Sequence, residues 1–177
     1  LAPYPYQPYK LRDGKLDPEG AVAEARMTRL PEIQPVLEHL EDPVDEGDPV
    51  FLMGDFNEPS HLDWTAEAAE AGLHLGKQVQ WPISRAVVRH GFRDAYREAY
   101  PNEVEHPGET WTTLTGDADE VHDRIDIIYV AGETVDVADA YTIGFRDDAP
   151  TDVAVPGYPS DHRSVVTTVL LGEGTED

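Results

Sequence analysis

The clearest hydrophobic signals along the chain are three runs dense in β-branched residues: RIDIIYV (124–130), ETVDVADAYTIG (133–144) and SVVTTVLL (164–171). Such side chains suit a pleated, half-buried surface, so all three predict strands. A fourth run, VFLMGDF (50–56), follows the turn DPVDEGDP (42–49) and predicts a short buried strand. PGETWTTLT (107–115) predicts an edge-like strand after a turn. Helical signals lie between these. Asp17, Pro18 and Glu19 supply a capping carboxylate, a proline at the first helical position and an acid in the first turn. The helix they open is expected to reach about Leu40, bent or split by Pro31 and Pro35, with Ile33, Val36, Leu37 and Leu40 as its apolar stripe. Ser60 can cap a second helix through about Ala71, and Ile83 to His90 predicts a third. The opening LAPYPYQPYKLRDG has neither period and reads as an extended loop pinned by aromatic contacts; DDAPTDVAVPGYPS (147–160) is a long proline-containing loop. The pattern is that of one α/β domain, or part of one.

Composition adds one large fact. Asp and Glu number 36 against 13 Lys and Arg, a formal charge of −23 in 177 residues, of which only Lys10, Lys15 and Lys77 are lysines. The acids are scattered through every segment, which favours adaptation to a salt-rich milieu over a dedicated acidic binding surface. At ~1 M salt the screening length is about 3 Å, so self-repulsion vanishes. A halophilic, acidic protein is therefore expected, and these residues do not distinguish a cytoplasmic from a secreted one. No basic stripe tracks a nucleic-acid backbone, a test that high salt weakens. Disulfides and thiolate metal sites are excluded by the absence of cysteine. No apolar run approaches the ~20 residues of a membrane helix. The first residue is Leu1, and the chain reads as a piece of something longer.

Three places carry candidate chemistry. In Gly54-Asp55-Phe56-Asn57, at the end of VFLM, Asp55 and Asn57 project to the same side of an extended backbone. A carboxylate beside an amide can hold a hard cation, orient a water or donate to a phosphate oxygen. It is also what a strand end turning into an Asx-type loop looks like. Asp126 sits between isoleucines in mid-strand, where a carboxylate is costly to bury unless paired. Either Arg124 neutralises it, or it holds a histidine on a neighbouring strand and fixes that ring's tautomer. Ser160-Asp161-His162 places a carboxylate and an imidazole side by side where the long loop meets the last strand. His39, His61, His74 and His106 have no carboxylate at a meaningful spacing, and His90 looks like a helix-end residue. His122, beside Asp123, is an outside candidate.

Taken in order, GDFN, RIDIIYV and PSDHRSVV resemble the C-terminal half of the endonuclease/exonuclease/phosphatase family, the fold of deoxyribonuclease I, apurinic endonucleases, inositol-polyphosphate phosphatases and bacterial sphingomyelinases. GDFNEPSHLDW, WPISRAV, GFRDAYRE, PGETWT and HDRIDIIYV extend the resemblance over nearly the whole chain. It implies a mixed, mostly antiparallel sheet with helices on one face, half of a four-layer αββα sandwich, with residues 1–177 as a single unit. It also implies metal-dependent hydrolysis of a phosphodiester or phosphomonoester by an activated water. Asp55 would orient that water and Asn57 would bind the scissile phosphate. His162 would act as general base, or as donor to the phosphorane, oriented by Asp126. Asp161, with Asp55 and Asn57, would lie at the divalent ion, usually Mg2+, with Mn2+ or Ca2+ as alternatives. Nucleic acid, a phospholipid headgroup and a small phosphate ester are all substrates within this fold, and fold does not choose among them.

The departure from the family lies at the start. Its members carry an N-terminal half with an early Asn, a metal-binding Glu and a His-Leu strand, and LAPYPYQPY resembles the text that follows that strand. The chain alone is therefore expected to be a truncated, inactive part whose partner is the missing N-terminal half. Its uncovered sheet face, with residues such as Ile125, Ile127 and Val166 on it, is expected to drive self-association. The alternative is a non-catalytic binding or structural module that retains the fold.

Overall fold

The computed structural model of the chain describes residues 1–113, 120–145 and 151–172. Helix α1 (Gln7–Arg12) falls within the stretch that was expected to be extended, with Pro8 in its first turn and Gln7, Pro8 and Leu11 buried. A helix of six residues is too short to display a period, so the tyrosines and prolines around it dominate the pattern. Helix α2 (Pro18–Thr28) is capped as its sequence requires: the Asp17 carboxylate accepts the Gly20 N–H at 2.8 Å. Pro31 splits the long helix instead of bending it. Helix α3 (Leu30–Asp45) starts afresh around that proline, keeps Pro35 and Pro43 inside it, and continues through Asp42–Asp45, where a turn was expected. Ile33 and Leu37 are buried, whereas Val36 is 38% exposed and falls off the stripe.

The strands separate into two three-stranded sheets. In the first, β1 (Val50–Asp55) and β2 (Arg93–Asp94) flank β3 (Asp126–Ala131), all antiparallel. In the second, β4 (Val135–Gly144) lies between β5 (Val153–Ala154), which is parallel to it, and β6 (Ser164–Leu171), which is antiparallel. The Ser60 segment makes a turn, and the short helix α4 (Ala66–Glu70) is capped instead by Thr65, whose hydroxyl accepts the Ala68 N–H at 3.0 Å. Helices α5 (Pro82–Arg89) and α6 (Ala95–Ala99) complete the chain's α/β order. Of PGETWTTLT only Trp111 makes strand-like bridges, and positions 114 and 115 lie outside the described residues, as do 147–150 of the long loop. Among the described residues no helix is long and apolar enough to cross a membrane.

One face of the first sheet is covered. Ile127 and Tyr129 of β3 pack with Phe56 against Ile33 and Leu37 of α3 and Ile83 and Val87 of α5. The other face is covered only in part: Val130 is buried with Ala95 and Val135, while the β1 side is left open, and this corrects two expectations. Strand β1 is not buried throughout: Phe51 and Met53 alternate outward and are 39% and 59% exposed. Ile125 and Ile127, assigned to the open face from sequence, lie in the core, and Val166 is half-buried. The apolar side chains on the open part of that face are Phe51 and Met53 of β1, with half-buried Ile128 of β3 beside them.

Glu58 makes a measurable demand on this core. Its side chain is buried, Oε1 accepts the Ile83 N–H at 2.7 Å, and Oε2 has no partner among the described residues. Burial pushes its pKa up to about 8, against the opposing pull of that N–H and of Arg29. From about pH 4.5 to about 8 the folded chain then holds a proton that the unfolded chain has lost, so stability falls as pH rises through that window. Glu58→Gln should remove the slope: its melting point should match the native chain's near the acid end and exceed it by ~4 °C or more above pH 8. Parallel pH profiles for the two proteins would refute this.

Candidate active site

The antiparallel register sets Asp55, the last residue of β1, directly opposite Asp126, the first residue of β3. Two like charges facing each other across a ladder are unfavourable without compensation. Compensation comes from His162, just before β6, whose Nδ1 lies 2.8 Å from Asp126 Oδ2 across 36 positions of sequence. Asp55 is held from its other side by Asn57. The Asn57 backbone N–H reaches Asp55 Oδ1 and its amide Nδ2 reaches Oδ2, both at 2.8 Å. This fold-back needs the left-handed backbone of Asn57 (φ 49°), which Asn tolerates better than most residues. Nδ2 also donates to the Leu1 carbonyl at 2.8 Å.

Asp55, Asp126 and His162, each half-buried, thus present ligand atoms within 4.8 Å of one another. Burial raises the Asp55 pKa, opposed by the Asn57 N–H and reinforced by the charge of Asp126. The hydrogen bond to Asp126 raises that of His162 against the effect of burial, with the charges of Asp126, Asp55 and Asp161 adding to it. Asp161 stands apart. It is exposed, its carboxylate is outside the three-residue cluster, and its main-chain oxygen accepts from Thr113 N and Thr112 Oγ1, each at 2.8 Å. An open groove of about 490 Å3 runs past the cluster, floored by Met53 and Ile128 and walled by Tyr158 and Ser164.

Arg124 does not pair with Asp126. It is buried and bidentate to two other carboxylates: Nη2 to Asp63 Oδ1 at 2.9 Å and Nε to Oδ2 at 3.1 Å, Nη1 to Asp94 Oδ1 at 2.9 Å and Nη2 to Oδ2 at 2.7 Å. Arg97 adds a 2.7 Å contact to Asp63. Burial alone would raise the Asp63 pKa, but the two guanidinium groups hold it below the usual carboxylate range. The segments HLDW, GFRDAY and HDRID therefore meet at one buried ion network behind the site. Asp123, next in line, accepts from Tyr6 Oη at 2.7 Å and Trp64 Nε1 at 2.9 Å. His74, to which no carboxylate partner was assigned, stacks on Trp64 at 5.0 Å, with Nδ1 3.6 Å from Asp123. His122 stays outside the Asp55–Asp126–His162 cluster, its Nδ1 3.5 Å from Thr112 N. His90 caps the end of α5 as expected.

Sequence reasoning missed Thr110. Fully buried, its hydroxyl accepts the N–H groups of both Ile125 and Asp126 at 3.0 Å, satisfying two main-chain donors at the start of β3. Its main chain donates to Asp123 O and accepts from Arg163 N. Trp111, the next residue, bridges Asp123 and His162, and its ring meets the His162 ring edge-on at 4.8 Å. The segment lashes Asp126 to His162. A lone threonine in a run of threonines offers no signal of this.

Comparison with known proteins adds the following. The family model described as "Endonuclease/Exonuclease/phosphatase family" matches residues 7–162. An uncharacterized Caenorhabditis elegans protein is 34% identical over 148 residues, 77% of this chain and 44% of that protein. The chain thus spans less than half the length of this curated relative. Among solved structures, truncated TDP2 from Caenorhabditis elegans superposes with a TM-score of 0.47 at 18% identity, covering 84% of this chain and 50% of that one. A second structure of TDP2 from the same organism gives 0.44 at 18% identity, covering 84% and 39%.

Proposed function

Since the chain belongs to the endonuclease/exonuclease/phosphatase family, we propose that it is part of a metal-dependent phosphoric ester hydrolase whose reacting groups are Asp55, Asn57, Asp126 and His162. The observation that carries this reading is the cluster itself. Three segments far apart in sequence deliver two carboxylates and an imidazole to one half-buried spot beside an open groove. A non-catalytic module would have no need of that convergence.

In this reading Asp55, held by Asn57, orients a water for in-line attack on phosphorus. His162 takes the water's proton as the new P–O bond forms and the bond to the leaving oxygen breaks. Asp126 keeps the His162 ring in place and stabilises its protonated form. The donor set of Asp55 and Asn57 is hard and oxygen-rich and suits Mg2+, Mn2+ or Ca2+, with the exposed Asp161 as a further ligand from outside the cluster. Such an ion, when bound, would neutralise charge developing on the ester oxygens. The chain matches only 44% of its curated relative, and we assign the rest of the phosphate cradle to the remaining half of the domain. That half would cover the open face at Phe51 and Met53; without it, the same face would drive self-association.

The test compares this chain with the longer protein on bis-p-nitrophenyl phosphate, DNA and sphingomyelin, with Mg2+ and with EDTA. The longer protein should hydrolyse at least one of them, EDTA should remove at least about 99% of the rate, and the chain alone should be slower by about 100-fold or more. Hydrolysis indifferent to EDTA, or no hydrolysis of any phosphate ester, would sink the proposal.

A further inference from the structure

The proline- and tyrosine-rich opening of the chain has no part in the hydrolytic steps above, yet it is held with unusual care. Arg29, buried between α2 and α3, donates to the carbonyls of Ala2 and Pro3 at 3.2 Å and Pro5 at 2.6 Å, and to the Gln7 side chain. A buried guanidinium devoted to three loop carbonyls fixes that loop. What it fixes is one wall of a recess of about 160 Å3, lined by Tyr4, Tyr6, Tyr9 and Trp111 and ending on Asp55 and His162. The polar edges of the inner rings are anchored on carboxylates. Tyr6 Oη donates to Asp123 at 2.7 Å, and Trp111 Nε1 donates to Glu120 at 3.1 Å, which the Tyr9 hydroxyl also bonds. The rings are therefore set before any ligand arrives, and no Lys or Arg lines the recess among the described residues.

We infer that this recess binds an alkylated ammonium group carried by the phosphate-ester substrate. Aromatic walls attract a cation through their electron-rich faces. Charge complementarity points the same way: the recess ends on the Asp55 carboxylate, Asp126 stands in the same cluster behind it, and the whole chain carries −23. The recess is large enough for a trimethylammonium group. Asp55 and His162 line both this recess and the open groove, so the ammonium would sit beside the phosphorus, separated by a short linker. The inference rests on the hydrolase reading for the identity of the substrate, but binding is measured without turnover, so the two can fail separately.

The test is a titration of this chain, at constant KCl, with tetramethylammonium, choline and the uncharged isostere 3,3-dimethylbutan-1-ol, followed by NMR. Both ammonium probes should bind at least about 10-fold more tightly than the isostere. Trp111→Leu and Tyr9→Leu should each lose about 10-fold, while Trp111→Phe, which keeps an aromatic face, should lose much less. Equal binding of the isostere would overturn the inference, since the recess would then be merely apolar. Tighter binding of phenol or uridine than of tetramethylammonium would overturn it in favour of a flat ring, and the absence of saturable binding would overturn it outright. The isostere comparison uses the native chain, so it decides the matter even where a variant fails to fold.

Discussion

Asp126→Asn is expected to slow phosphate-ester hydrolysis by the longer protein by about 10^2–10^4-fold, with kcat falling far more than KM rises. Among the described residues the Asp126 carboxylate is the partner of His162 Nδ1, at 2.8 Å. An amide there can present its N–H in place of an acceptor, which favours the wrong tautomer of the ring, and it withdraws the charge that stabilises the protonated form. Stability should move the other way or not at all. Asp126 faces Asp55 across the ladder, so neutralising one of them relieves a like-charge pair. A variant that melts no lower than the native protein and hydrolyses poorly would match this account. Activity within about threefold of native would refute the assignment.

Arg124→Met should have the largest effect on folding. The guanidinium is the shared cation for Asp63 and Asp94, both buried, and only Asp63 retains another through Arg97. Removing one partner of such a network leaves uncompensated buried charge, typically worth ~3–5 kcal/mol. In a domain of this size that is a fall of ~10 °C or more in melting temperature. The double variant Arg124→Met with Asp94→Leu should recover part of the loss, because an apolar replacement carries no charge to strand. A single variant within ~3 °C of native would mean that water reaches these carboxylates and the network is not dry.

Much of this protein was legible locally. The β-branched runs became β3, β4 and β6, and SVVTTVLL forms β6 from its first residue to its last. Asp17 caps its helix, and the Pro82–Arg89 segment coils as expected. Each of these is decided within a few residues by backbone preference and by which side chains tolerate burial. Asp55, Asn57 and His162 were visible as polar groups at strand ends and Asp126 as a carboxylate expected in mid-strand, though it opens β3, and the motif order brought them under one reading. What lay beyond the sequence were the partners. Arg124 and Asp126 are two apart on an extended backbone, which suggested a pair, yet the register with β1 turned Asp126 toward His162 and left Arg124 among Asp63 and Asp94. His74 and Thr110 gained their roles from residues far along the chain, and Phe51 and Met53 were left outside while Ile127 went in. Periodicity states that a face is apolar, never what will cover it. Contacts between distant segments follow from how strands register and sheets divide, so the local elements belonged to the sequence and the pairing of its charges to the tertiary structure alone.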